Sequence, residues 1–279
     1  MKNIKLYLRK KIYAVPGAQD CWLGLNKFMG RVTEPDFSGW GMTTHTFTPW
    51  HNGGDELSRD FLKVNQKLVA KVMQGEFKLS QFNEEPDKEM LLSGLMWRHY
   101  IVFWSVHFAS KATNCVIKNL VECGVCDGLT AYFAMSALRG EFKAFLYDAW
   151  EGMKSEYLLE SEMGSVGDYH YLNVENTKHN LAEFHGGVTF IKGFIPESFK
   201  ISDNPTELVW LHIDLNSSFP TIAALQFFFE KIPPGGIILF DDYAWHGYYD
   251  TKLSIDKYFS SKRGVLLPLP TGQAIYFKY

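Results

Sequence analysis

Glu122-Cys123-Gly124-Val125-Cys126-Asp127-Gly128-Leu129-Thr130 is the stretch on which the fold turns. Residues 116–122 before it have the length and apolar character of a short buried strand, and residues 129–138 after it have the pattern of a helix that Gly140 stops. Two glycines between a strand and a helix let the backbone come close to a ligand, with unpaired N–H groups of the helix N-terminus behind them. By itself a Gly-x3-Gly spacing is equally that of an ordinary strand-to-helix turn.

Outward from this turn the chain alternates. Residues 142–147 form the next expected strand, ending in Asp148, and a helix over 174–184, stopped by Gly186-Gly187, leads to a strand at 188–192. A fourth strand, 207–213, ends in Asp214. Pro220 helps start a helix that runs to 231, and Pro233-Pro234-Gly235-Gly236 ends it. The fifth strand, 237–240, ends in Asp241-Asp242; a helix at 251–259 and strands at 265–267 and 274–277 close the chain. Seven strands and crossover helices in this order predict a doubly wound, mostly parallel α/β sheet, whose ligands bind beyond the carboxyl ends of the strands.

Residues 1–54 have a different texture, rich in Gly, Thr, Trp, Phe and Pro without sustained periodicity, and read as irregular cover or a lid. Asp55 then caps a helix with Leu57, Phe61, Leu68 and Val72 on one face, and a second helical stretch covers 88–112. The expected organisation is an N-terminal lid and helical extension over 1–112 and an α/β domain over 113–279.

Composition narrows the partners. With 46% hydrophobic residues and a net charge of -3, the chain gives no reason to expect a nucleic acid or a membrane surface. Residues 1–11 are basic but no apolar run follows, and the most apolar helical stretch, 90–109, carries Arg98, His99 and His107. These features suit a soluble cytoplasmic protein. Cys123 and Cys126 have C-x2-C spacing without a second pair, so packing near the turn is the favoured reading over zinc.

Asp148 lies one βα unit after the glycine turn, where a carboxylate can accept both hydroxyls of a ribose. The turn itself reads Glu-x-Gly-x-x-x-Gly, not the G-x-G-x-x-G of dinucleotide sites. An acid before the first glycine opposes a phosphate but suits a ligand with an amino group and a sulfonium. Asp214, Asp241 and Asp242 project from one sheet edge, and three like charges together call for a cation; oxygen-only ligands suit Mg²⁺ or Ca²⁺. The alternative is that Asp214 caps a helix and the other two are solvated loop acids.

Residues 121–128, Leu211-His212-Ile213-Asp214-Leu215-Asn216-Ser217 and residues 234–243 resemble, in order and spacing, the TylF/MycF/NovP family of sugar O-methyltransferases, over roughly residues 95–279. The resemblance implies a Rossmann-like class I methyltransferase fold and Mg²⁺-dependent methylation of a sugar or glycan hydroxyl. It makes Asp214, Asp241 and Asp242 metal ligands, and it puts Glu122, Gly124, Gly128 and Asp148 around S-adenosylmethionine. Met42-Thr43-Thr44 is similar to a stretch that lines the cofactor there, which makes Thr43 a candidate contact. A divalent ion would acidify a sugar hydroxyl and orient it toward the methyl group.

Asn216 departs from the family, which often carries a second Asp there as general base. Either the metal alone acidifies the hydroxyl or another base accepts its proton; His246 is the candidate for that base, with a solvent-facing loop histidine as the alternative. Tyr243 and Gln273 are candidate substrate contacts; an ordinary turn with a solvated glutamine is the plainer reading of Thr271-Gly272-Gln273. The aromatic residues Trp40, Phe47, Trp50, Trp97, Tyr100 and Trp104 suit either packing or a carbohydrate-facing cover. Two rival readings stand beside methyl transfer. One is a nicotinamide-dependent short-chain reductase, for which Tyr258-x3-Lys262 offers the dyad; the other is a non-catalytic cofactor-binding scaffold. A homo-oligomer is compatible with all of them.

Overall fold

The computed structural model describes residues 56–81, 85–138, 141–201, 203–245 and 247–279. Three helices come first: α1 (Glu56–Met73), α2 (Glu85–Gly94) and α3 (Met96–Ala112). Phe61, Leu68 and Val72 bury one face of α1, as the helical spacing requires. The single helix expected over 88–112 is instead two, parted at Leu95.

The sheet follows: β1 (Lys118–Cys123), α4 (Leu129–Ser136), β2 (Phe142–Asp148), α5 (Val174–Asn180), β3 (Val188–Lys192), β4 (Trp210–Ile213), α6 (Ser218–Phe228), β5 (Ile237–Phe240), α7 (Tyr249–Phe259), β6 (Val265–Pro268) and β7 (Ala274–Phe277). The expected helix over 174–184 stops at Asn180 and continues to Gly187 as a tighter turn. Strand order is β3-β2-β1-β4-β5-β7-β6, with β7 antiparallel between β5 and β6. The first five strands are parallel. This is the mostly parallel seven-stranded sheet that the alternation predicts, and the reversed β7 separates it from the 3-2-1-4-5-6 order of dinucleotide-binding folds.

β4 and β5 are buried at every residue, as central parallel strands covered on both faces must be. Their side chains alternate between two cores. On one face Trp210 and Leu239 join Phe61, Phe103 and Phe133 from α1, α3 and α4, and the Trp210 indole donates to Ser105 Oγ at 2.8 Å. On the other, Leu211 and Phe240 pack with Phe228 of α6 and Ile255 of α7. The helices before β1 therefore belong to the same core as the sheet. The charged residues Glu122 and His212 stand on the α3 face, directly in register with each other across β1 and β4, and acids gather at the carboxyl ends of the strands.

Candidate functional site

The glycine turn is shaped by contact with the neighbouring strand. Gly124 has φ +89°, and a Cβ there would lie 1.8 Å from the carbonyl oxygen of Asp214, so only glycine fits. The Gly124 N–H donates to Tyr147 O at 2.8 Å, and Asp214 N–H to Cys123 O at 2.8 Å, which locks the ends of β1, β2 and β4 together. Gly128, at φ +89°, opens α4 and packs against Leu181.

Asp148 turns its carboxylate onto the chain. Oδ2 accepts from the N–H groups of Val125 (2.7 Å) and Cys126 (2.9 Å), and Oδ1 accepts from that of Trp150 (2.7 Å). Three of its roughly four acceptor positions are thus filled. Burial pushes its carboxyl above the usual range, against the pull of those three donors. The expected ribose acceptor is first of all a clamp on the glycine turn. Asp127 clamps the other side, accepting from Ser80 N (2.7 Å) and Ser80 Oγ (2.5 Å).

Two cavities open at this edge. One, about 180 Å³, runs past Asp148, Lys154, Tyr157, Tyr169, Phe194 and Asn216. The other, about 260 Å³, lies between α3 and the strand ends, with Arg98, His99, Glu122, Asp241 and Gln273 in its wall. Gly124, Cys126, Tyr169 and Asp214 line both. Asp214 is the one strand-end acid common to the two. Its carboxyl is raised well above the ordinary value by burial and by the charges of Asp241 and Asp242. Asn216, at φ 54°, donates its side-chain amide to Asp214 Oδ1 at 3.3 Å.

Behind Asp214 lies a buried charge cluster. His212, fully buried and stacked on Trp210, sits with Nδ1 3.3 Å from Glu122 Oε1 and Nε2 3.6 Å from Asp241 Oδ1. Burial opposes its charge, but the two carboxylates outweigh that and hold the imidazolium up to about 10. Neither ring nitrogen makes an aligned hydrogen bond, so the contacts are charge pairs. Burial raises the carboxyl of Glu122, His212 partly offsetting it, and its Oε2 is buried without a donor. Arg98 Nη2 donates to the Asp241 carbonyl (2.8 Å), to Asp242 Oδ1 (2.9 Å) and to Asp241 Oδ2. Gln273 Nε2 donates to Asp241 Oδ1 at 2.9 Å.

This arrangement corrects the solvated readings of Gln273, Asp241 and Asp242 and gives the other candidates their places. Gln273 is no solvated turn residue: it is fully buried, because Gly272 packs beneath Trp245 and carries the hairpin tip onto the end of β5. Tyr243 lies outside these two cavities and lines a small third one with Asp214, Asn216 and Asp242; its hydroxyl donates to Asp256 Oδ1 of α7, and Lys252 lies 5.1 Å from its ring. Asp241 and Asp242 are not solvated acids but partners of Arg98. As for the expected metal ligands, Asp241 and Asp242 meet Arg98, and among the described residues no group of three His, Cys, Asp or Glu side chains is gathered to hold an ion. Cys123 and Cys126 are free thiols in the packing around the turn. Tyr258 donates to Leu225 O (3.3 Å) and Lys262 pairs with Glu230 (3.5 Å), both clear of the two cavities, so no reductase dyad faces a ligand. Thr43 and His246 fall outside the described residues.

Arg98, His212 and Tyr169 are the site residues that motif reading passes over. For the first two a signal exists: a cation inside an otherwise apolar helix, and one inside the strand Trp-Leu-His-Ile. Tyr169, left-handed at φ 67° in an irregular segment, offers none.

Comparison with known proteins agrees with this fold. Residues 121–243 match the model of a methyltransferase domain. The O-methyltransferase NovP superposes with a TM-score of 0.61 at 16% identity, covering 80% of this chain and 99% of that one. CalS11, a calicheamicin methyltransferase, superposes with a TM-score of 0.52 at 17% identity, covering 86% and 98%. At these identities the likeness shows the fold. No curated protein matches the chain in sequence. Among the described residues no helix is long and apolar enough to cross a membrane.

The fold is that of a methyltransferase, and it implies S-adenosylmethionine as methyl donor. The residues present suit that group. Glu122 Oε2 is a buried acceptor lacking a donor, in the wall of the larger cavity, and an ammonium would satisfy it. Gly124 lines both cavities, and its lack of a side chain lets the β1 turn pack directly on the Asp214 backbone at their junction. Tyr157 and Phe194, stacked at 4.6 Å, line the smaller cavity with aromatic surface that suits a purine. A resident Mg²⁺ fits poorly: the donor set is split, and its two adjacent carboxylates already hold a guanidinium.

Proposed function

We propose that this chain transfers the methyl group of S-adenosylmethionine to a hydroxyl of a sugar or glycan. The observation that carries the reading is the position of Asp214, whose side of the β1–β4 junction faces both cavities. The sugar class rests on the resemblance of residues 121–128, 211–217 and 234–243 to the sugar O-methyltransferases. In this reading residues 113–279 carry the catalytic fold, and residues 1–112 extend it with α1 to α3 and the segment before them.

The bound donor supplies an electrophilic methyl group on a sulfonium. Glu122 would hold the ammonium of the donor's amino-acid end and the Gly124 turn would lie against it, while Asp148 keeps that turn in place through Val125 and Cys126. Asp214 accepts the proton of the attacking hydroxyl. A carboxylate whose pKa is raised by burial suits that task better than one at its ordinary value, because the proton-transfer driving force grows with basicity. Asn216 cannot accept the proton; it orients Asp214 by donating to Oδ1, which leaves Oδ2 for the substrate. Tyr169 closes the junction, its hydroxyl held protonated by burial and by the charge of Asp214. No step passes through a metal ion.

The test is methyl transfer from labelled S-adenosylmethionine to nucleotide sugars and glycans, read by mass. A gain of one methyl group on an oxygen, abolished by Asp214→Asn, is the expected result. Saturable donor binding with no transfer to any oxygen, nitrogen or carbon acceptor would leave the scaffold reading in its place.

A further inference from the structure

The acid pair at the end of β5 has a cation of its own. Arg98 stands in the first turn of α3 and reaches Asp241 and Asp242 across 143 and 144 residues of sequence. One guanidinium nitrogen, Nη2, serves both carboxylates and the Asp241 carbonyl. The Arg98 side chain is only 13% exposed, and the Trp245 ring lies 5.5 Å from its guanidinium carbon. Burial works against the charge, yet the facing carboxylates raise its pKa further still. The other Asp241 oxygen accepts from Gln273 and faces His212.

A hard divalent ion at this position needs about six oxygen ligands in a near-regular shell. Here the Asp241 carboxylate accepts from Arg98 and Gln273 and also faces His212 as a charge partner. Asp214 accepts from Asn216, and among the described residues no three acids are gathered to hold an ion. An added ion would also sit within a few ångström of the guanidinium, a like charge in a largely dry site. Because Arg98 is held by its own helix, with Val102, Phe103 and Val106 of α3 packed in the sheet core, it is a fixed feature of the fold and not a mobile surface cation.

We infer that Arg98 is the resident cation of the Asp241–Asp242 pair, so that the pair binds no divalent ion and the cluster is metal-independent. Arg98 then acts as a positioning residue: it fixes the N-terminal end of α3 to the end of β5 and so sets the wall of the larger cavity. The inference stands on the contacts of Arg98 and holds whether or not the chain transfers methyl groups.

The experiment is Mn²⁺ titration of the full-length, EDTA-treated protein, followed by electron paramagnetic resonance. No saturable Mn²⁺ binding at millimolar metal is expected in the wild type. Arg98→Ala, which empties the acid pair of its cation, is expected to gain one saturable Mn²⁺ that Arg98→Ala/Asp241→Asn loses again. Stoichiometric binding by the wild type, lost in Asp241→Asn, would overturn the inference, and that result is read even if Arg98→Ala fails to fold. Turnover restored by Mg²⁺ after EDTA would overturn it equally. A parallel calorimetric titration with S-adenosylhomocysteine reports on the donor pocket alone; its failure refutes the methyltransferase reading and leaves the metal result standing.

Discussion

The side-chain amide of Asn216 donates to Oδ1 of Asp214 across 3.3 Å, two residues along a loop that Asn216 turns in the left-handed conformation. Asn216 is therefore the orienting partner of the proposed base. Asn216→Asp replaces that donor with a second negative charge beside a carboxyl that is already raised. The expected result is a shift of the acidic limb of the kcat profile to higher pH by about one unit, with about tenfold lower turnover below that limb. An unchanged profile would show that Asn216 does not act through Asp214.

For Asp214 itself the direction is set by burial and by Asp241 and Asp242, which raise its carboxyl. Turnover should fall as pH drops through this raised value, because the protonated acid cannot accept the hydroxyl proton. Asp214→Asn should lower kcat by ~10²–10⁴ and remove that limb. His246→Ala is the control. If it, and not Asp214→Asn, removes the limb, the base is His246.

Gly124→Ala tests the cradle. A Cβ at 1.8 Å from the Asp214 carbonyl meets backbone, which no rotamer change relieves, and the positive φ adds about 1–2 kcal/mol. The variant should lose donor binding and unfold at a lower temperature. Unaltered binding of S-adenosylhomocysteine would mean that the ligand does not rest on this turn.

How much of this was readable in advance follows from the range of the interactions. The glycine turn, the acids at the strand ends and the helix-strand alternation are local patterns, and 118–148 and 237–240 fold as those patterns require. The charge cluster is not local. Arg98 finds Asp241 only because α3 packs across the carboxyl end of the sheet, and Gln273 finds it only because Gly272 slides under Trp245. Asp148 shows a subtler gap. Its place at the end of β2 is legible, but its three backbone partners depend on how the turn at 124–126 folds back toward it. Tyr243 follows the acid pair in sequence, yet the backbone carries it toward α7.

The two buried histidines bound the pH range of stability from opposite sides. His212 is raised to about 10 from 6.5, so its contribution is complete below about pH 6.5 and is lost as pH rises toward 10. His99, stacked on Phe133 at 4.4 Å, is lowered to about 3, with burial the leading cause, so folding is penalised as pH falls from about 6.5 toward 3. The temperature of thermal unfolding should therefore fall on both sides of about pH 6.5. His212→Gln should flatten the alkaline side while lowering stability at neutral pH by about 3–5 kcal/mol, since it strips Glu122 and Asp241 of their shared cation. A variant as stable as the wild type would contradict the charge pairing.

The central claim is that the β1–β4 junction binds S-adenosylmethionine through Glu122, and calorimetric titration with S-adenosylhomocysteine addresses it directly. Saturable binding by the wild type, at least tenfold weaker in Glu122→Gln, is the predicted result, because the amide no longer offers a charge to the ligand's ammonium. Heat released with NADH and none with S-adenosylhomocysteine would contradict the account.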